Sequence, residues 1–297
     1  MAPRKPAPPV RKPAAGAQRS ATGDAAIHSH SPSFRPQRPI PPPPLWLYER
    51  HTVLAAVANP ARILDRLLAT EQTVAELAAA VARSPVPRPA PEVSDRRAIE
   101  ALLPAESVHQ GMAARARLLP PVALDDILEE AARRPSALLV VLDQVTDPRN
   151  VGAILRSAAA FEATAIVVQD RHAPAESGAL AKAASGAAET VPLVRTVNLT
   201  RALEAMKEAR FHCIGLAAEA PSRLSDARLA SHVVMVFGSE GRGLRRRIGE
   251  TCDETVSIPI ARGVDSLNIS VAVAIGLYEV RRGRVPAADG ATAPTAD

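Results

Sequence analysis

The stretch from His232 to Val280 constrains the fold most. Two short apolar runs, Val233–Phe237 and Thr255–Ile260, read as strands. Each ends in a small, polar loop. The first loop is Gly238-Ser239-Glu240-Gly241-Arg242-Gly243; the second, Ala261–Asp265, runs into Ser266-Leu267-Asn268. An apolar helix pattern then runs from about Leu267 to Val280. Two loops at the carboxyl ends of neighbouring strands make the ligand crevice of an open α/β sheet.

The preceding chain builds that sheet. Leu138–Val145, Thr164–Gln169, Val191–Val197 and Phe211–Ala217 read as strands. Between them Asn150–Phe161, Glu176–Ala188 and Leu199–Arg210 carry helical patterns. Strands separated by helices of about 10–15 residues predict a parallel α/β sheet over residues 136–283. Residues 45–120 read as a smaller α/β module. It has an apolar start at Leu45–Tyr48, helical or mixed patterns at Thr52–Ala58 and Arg62–Thr70, and a helix at Val74–Ala82. A proline-broken loop (Ser84–Pro91), a short helix (Arg96–Leu103) and a closing strand within Gly111–Leu119 follow. Residues 121–135 read as a linker with a short helix, and 284–297 as a flexible tail.

Charge is unevenly placed. The chain carries net +5, but residues 1–44 hold seven Lys/Arg against one acid, which leaves the remainder at −1. That proline-rich tail is expected to be disordered, either a solubilising tail or an electrostatic arm for RNA. The two cysteines have no paired spacing and the seven histidines no metal-ligand spacing, so neither a disulfide nor a metal is expected. This suits a reducing, cytoplasmic setting. No secretory leader and no membrane-spanning run are read.

Three loops can carry chemistry. GSEGRG follows a strand, but it is neither a dinucleotide fingerprint nor a Walker loop, and Glu240 would repel a phosphate. Asp147-Pro148 reads as a helix N-cap and first turn. Asn150 and Arg156 lie six residues apart, about 600° around a helix, so they do not share a face. Asn150 must sit in the loop or first turn if both serve one site. Arg156 interrupts a small, apolar run (AILRSAAAF) and there needs an anionic partner or a wet cleft. Ser266 reads as a helix N-cap. Asn268 reads as a first-turn amide that wants partners, either loop backbone or a substrate hydroxyl.

The segments LDQVTDPRNVGAILRSAAAFEA, VFGSEGRGL and SIPIARGVDSLNISVAVAIGLYE resemble, in order and spacing, the three motifs of the SpoU (TrmH-type) RNA 2′-O-ribose methyltransferases of the SPOUT superfamily. YERHTVLAAV and VHQGMAARA are similar to the L30e/L7Ae-like substrate-binding domain of the family's ribosomal-RNA members. Glu49 stands where that pattern has glycine. The resemblance implies a parallel sheet with a carboxyl-terminal trefoil knot, a homodimer through the knot region, and S-adenosyl-L-methionine as cofactor. It implies cofactor contacts at Gly238, Ile258 and Leu267, and a reacting centre lined by Asn150, Arg156, Glu240, Ser266 and Asn268. The implied reaction is methylation of a ribose 2′-hydroxyl, in a guanosine of large-subunit rRNA. The alternatives are a tRNA enzyme of the same family, a catalytically silent RNA-binding or ribosome-assembly protein, and an ordinary nucleotide-binding α/β enzyme. The absent phosphate loop argues against the last.

Overall fold

The computed structural model describes residues 45–284. The disordered tail expected over 1–44 and the tail beyond Arg284 lie outside the described residues. The larger sheet has seven strands, all parallel. They are β5 (Ala137–Leu142), β6 (Ala165–Gln169), β7 (Leu193–Thr196), β8 (His212–Leu216), β9 (Ser222–Arg223), β10 (His232–Phe237) and β11 (Glu254–Ser257). Their spatial order is β7-β6-β5-β10-β8-β11-β9. The order reverses between β5 and β10, which pair in register from His232 against Ala137 to Phe237 against Leu142. All six residues of β5 are buried, as a central strand covered on both faces requires.

One face is covered by α5 (Pro148–Ala160), α6 (Gly178–Ala184) and α9 (Ile269–Arg284). The other is covered by α4 (Leu124–Ala132), α7 (Leu199–Glu208) and α8 (Arg246–Thr251). The segment read as a linker therefore contributes α4, whose Ile127 and Ala131 are buried in the second core layer. The helix read over Glu176–Ala188 ends at Ala184. Ser185 and Gly186 take left-handed φ of 49° and 91°, and a single 3-10 turn, Ala187–Glu189, follows. At the far end α9 continues through Gly283 to Arg284, beyond the point where a frayed tail was expected.

The smaller sheet has four strands in the order β1-β4-β2-β3. These are β1 (Leu45–Tyr48), β2 (Leu64–Ala69), β3 (Pro91–Val93) and β4 (Met112–Ala116). The mixed pattern at Arg62–Thr70 is thus a strand, and the proline loop ends in another. Helices α1 (Arg50–Ala58), α2 (Val74–Ala82) and α3 (Arg96–Glu100) complete the module. Glu49 explains its own departure from the glycine pattern. It sits at φ 85°, a region that favours glycine, and its carboxylate caps α1 by accepting from the Thr52 backbone N–H and hydroxyl.

This small module packs directly on α6. Ala181 of α6 belongs to the module's own apolar core, and the Thr52 hydroxyl donates to the Ala181 carbonyl. A β-carbon at Gly178 would lie 2.6 Å from the Trp46 carbonyl oxygen, so the close approach of β1 needs glycine there. Arg62 completes the seam. Its side chain is wholly buried and pairs with Glu189 at 2.7 Å and Glu176 at 2.6 Å. Nη1 also donates to the Arg117 carbonyl. Burial alone would lower the Arg62 pKa; the hydrogen bond and charge of Glu189, helped by Glu176, raise it instead.

Candidate active site

The three motif loops meet at the carboxyl ends of β5 and β10, at the order reversal where an open α/β sheet leaves its crevice. Asp147 caps α5 by accepting from the Arg149 N–H, and Pro148 occupies the first turn, as the sequence predicts. That places Asn150 in the first turn, facing the glycine loop. One oxygen of Glu240, Oε1, gathers the site. It accepts from Asn150 Nδ2 at 3.1 Å, Asn268 Nδ2 at 2.9 Å and the Ile269 backbone N–H at 3.2 Å. Asn268 Nδ2 also donates to Asn150 Oδ1 at 3.2 Å. A single carboxylate oxygen therefore ties all three motifs together.

Asn268 differs from its expected place. It caps α9: its Oδ1 accepts from the Ser270 N–H and hydroxyl, and its carbonyl from Val271 and Ala272. Ser266, read as the cap, is exposed in the loop two residues earlier. The helix starts later because Asn268 supplies the cap that Ser266 would have supplied. Asn268 is also exposed rather than buried, so its partners reflect the loop it organises. Arg156 is not brought to this cluster within the chain. It is exposed on α5 and pairs with no acid among the described residues. Six residues place it about 9 Å along the helix from Asn150. Exposure also removes the need for a buried partner.

Gly238 is buried at the end of β10. A β-carbon there would come within 2.0 Å of the Gly243 carbonyl carbon, so only glycine lets the loop fold back on itself. The closure is a backbone bridge between Ser239 and Gly243, with Gly241 and Gly243 at φ 77° and 63°. Ile258, just past β11, and Leu267, just before the Asn268 cap, are both half-buried. Gly238, the half-buried Ile258 and Leu267 and the Glu240 carboxylate stand around this crevice. Those groups fit an adenosine-bearing, sulfonium-type cofactor better than a phosphate-rich one.

One feature near the loop was missed by sequence reasoning. Asp143, the residue after β5, is fully buried and pairs with Arg245 at 2.7 Å. It also accepts from the Arg245 backbone N–H, which pins the far end of the glycine loop to β5. Arg245 Nη2 donates to Gln169 Oε1 as well. An acid directly after six apolar residues was the available signal.

The family model described as "SpoU rRNA Methylase family" matches residues 137–278. The 23S rRNA (guanosine-2′-O-)-methyltransferase RlmB of Vibrio cholerae is 46% identical over 181 residues, covering 60% of this chain and 72% of that protein. The chain belongs to the SpoU family. The RlmB of a Burkholderia species is 45% identical over 184 residues, covering 62% of the chain and 74% of that SpoU relative. Among solved SpoU structures, AviRb from Streptomyces viridochromogenes, in complex with AdoMet, shares the fold. Its TM-score is 0.67 at 23% identity, covering 81% of this chain and 90% of that one. Of the described residues, no helix is long and apolar enough to cross a membrane, and no three ligating side chains cluster as a metal site.

Proposed function

We propose that this chain transfers the methyl group of S-adenosyl-L-methionine to the ribose 2′-hydroxyl of a guanosine in 23S rRNA. The observation that carries the reading is the convergence of Asn150, Asn268 and the Ile269 N–H on Glu240, where the three SpoU segments meet. The cofactor, when bound, supplies a methyl group already activated on a sulfonium. The protein's remaining tasks are in-line positioning and charge stabilisation as the hydroxyl oxygen takes the methyl group and gives its proton to solvent water. Gly238, Ile258 and Leu267 hold the cofactor, largely through backbone. Asn150, Ser266 and Asn268 orient the hydroxyl, with Glu240 fixing both amides. Arg156, a guanidinium and so a poor base, binds an RNA phosphate and stabilises the developing alkoxide from the second copy of the proposed dimer, since its own chain holds it away from the crevice. Its exposure supports a role toward a bound polyanion.

The finer architecture belongs to the same proposal. The chain leaves β10, skips past β8 to β11, and returns to α9 beside α5; this path supports a carboxyl-terminal knot. A groove of about 430 Å³ between α5 and α9 is lined by small and apolar residues, with Val271 and Tyr278 exposed. It supports a homodimer through this face. Residues 45–120, similar to an L30e/L7Ae protein, act as the rRNA selector. Cys213 and Cys252 are free thiols, each pushed up to about 12 chiefly by burial, which suits a cytoplasmic enzyme.

The test is transfer of labelled methyl to unmodified bulk rRNA and tRNA, offered separately, with product nucleosides identified. Label in 2′-O-methylguanosine from rRNA alone is expected. Label in tRNA alone overturns the substrate; no label with cofactor bound makes the chain a silent RNA binder. Arg156→Ala is expected to lower turnover about 10²–10³-fold while cofactor affinity stays nearly intact. Equal loss of cofactor binding removes the proposed role.

A further inference from the structure

A polar cavity of about 310 Å³ lies at the opposite, amino-terminal end of the parallel strands of the large sheet. It opens where β5 begins, at Ala137 and Leu138, beside the end of α9. The six residues of β5 separate it from the methyl-transfer crevice by about 20 Å. Three arginines, Arg134, Arg281 and Arg284, line it together with Ser136, Thr164 and a single acid, Glu162. Two of the guanidiniums have carboxylate partners: Arg134 pairs with Glu130, and Arg281 with Glu162 at 2.9 Å. Arg284 has none among the described residues. Its Nη2 donates to the carbonyls of Ala137 at 2.9 Å and Ser231 at 2.8 Å. Its Nε is buried without a partner among the described residues.

A purely structural role accounts for part of this. The Nη2 bonds tie the end of α9 to the starts of β5 and β10. They do not account for the idle Nε of Arg284, which among the three guanidiniums of the cavity is the one with no carboxylate partner in the described residues. Burial first, and the charge of Arg281 second, push the Arg284 pKa down, and no acid acts against them. A group in that position gains most from an anion that accepts from several donors at once.

We propose that this cavity binds a phosphate-type oxyanion, held by Arg281 and Arg284 with Arg134 at the rim. The anion is either a phosphodiester of the RNA substrate or a free phosphate. The first source rests on the RNA-methylation reading; the second does not.

Thermal unfolding of the full-length protein, in inorganic phosphate against chloride at fixed ionic strength, tests the site. Phosphate is expected to raise the midpoint of the wild type. Arg281→Gln, which leaves the Arg284 backbone ties in place, should weaken that effect several-fold. Glu162→Gln removes the competing carboxylate and should strengthen it. The opposite signs matter, because a merely structural ion pair would lose stability in both variants without regard to phosphate. No phosphate-specific stabilisation of the wild type, or weakening in both variants, overturns the site. RNA affinity against salt then separates the sources. A log–log slope reduced by about 0.7–0.9 in Arg281→Gln marks an RNA phosphate, whereas an unchanged slope, with phosphate still stabilising the wild type and less so the variant, marks a free anion. A wild type that binds phosphate but methylates neither RNA would sink the functional reading and leave this site standing.

Discussion

Two polar clusters in this molecule use the same kinds of group to opposite ends. Around Arg62, a guanidinium and two carboxylates are sealed between the small module and α6, with Arg62 0% and Glu189 2% exposed. Asn59 Nδ2 also donates to Glu189, and the Leu119 N–H to Glu176. The cluster is closed and leaves little to offer a ligand. Around Glu240, a carboxylate and two amides stand at the open carboxyl end of the central strands. There one oxygen does the accepting and the other is uncommitted among the described residues. Burial with saturated partners marks a cluster that holds two modules together. Exposure with spare capacity marks one organised to receive something.

The comparison can be broken from either side. The largest effect is expected from Arg62→Met, which leaves Glu189 buried without its counter-charge. Loss of one member of a buried pair costs about 3–5 kcal/mol, read as a lowered unfolding midpoint. Stability unchanged within about 1 kcal/mol would place the seam among inconsequential ion pairs. Glu240→Gln should do the reverse, because a neutral oxygen accepts hydrogen bonds about half as strongly. Unfolding should move by less than about 1 kcal/mol, while methyl transfer falls about 10-fold or more. A variant that unfolds early but turns over normally once folded would make Glu240 structural. The smallest effect concerns Asp253, between Lys207 and the Cys213 backbone N–H. Burial pushes its carboxyl up, but the Lys207 hydrogen bond and the Cys213 N–H together hold it below the usual range. A depressed carboxyl stabilises the fold above its unfolded pKa, and that contribution is lost as pH falls below about 4. Asp253→Asn should therefore flatten the acid limb of stability slightly, and an unchanged limb would show that the pair contributes nothing.

Legibility in the sequence followed the range of the interactions. The middle of the large sheet was readable because β6, β5, β10 and β8 are largely apolar runs between helical patterns, as burial on both faces demands, whereas the two-residue β9 (Ser222–Arg223) is exposed and carries no such signal. β2 was not readable, since Asp65 and Arg66 interrupt its alternation, and β3 begins on Pro91 within a proline-rich loop. The α4 segment, DDILEE flanked by prolines, shows only a narrow apolar stripe. In the site, Asn150, Glu240 and Asn268 came from motif positions, and the structure gathers them. Arg156 came from the same motifs, yet its helical phase keeps it away from them. Arg62, Glu176 and Glu189 could not have been found: more than 110 residues separate Arg62 from either partner, and no local spacing announces the pairing.

The central pairing of the large sheet also sets a schedule. β5 presents an edge that only β10 fills, and β10 begins about ninety residues after β5 ends. At about 5–20 residues per second, a ribosome leaves that apolar edge without its neighbour for roughly 5–20 seconds. Only after β10 emerges can β8 and β11 add on the other side. Birth is thus the period when this chain is most exposed to wrong partners, and a slower codon run before His232 would lengthen it.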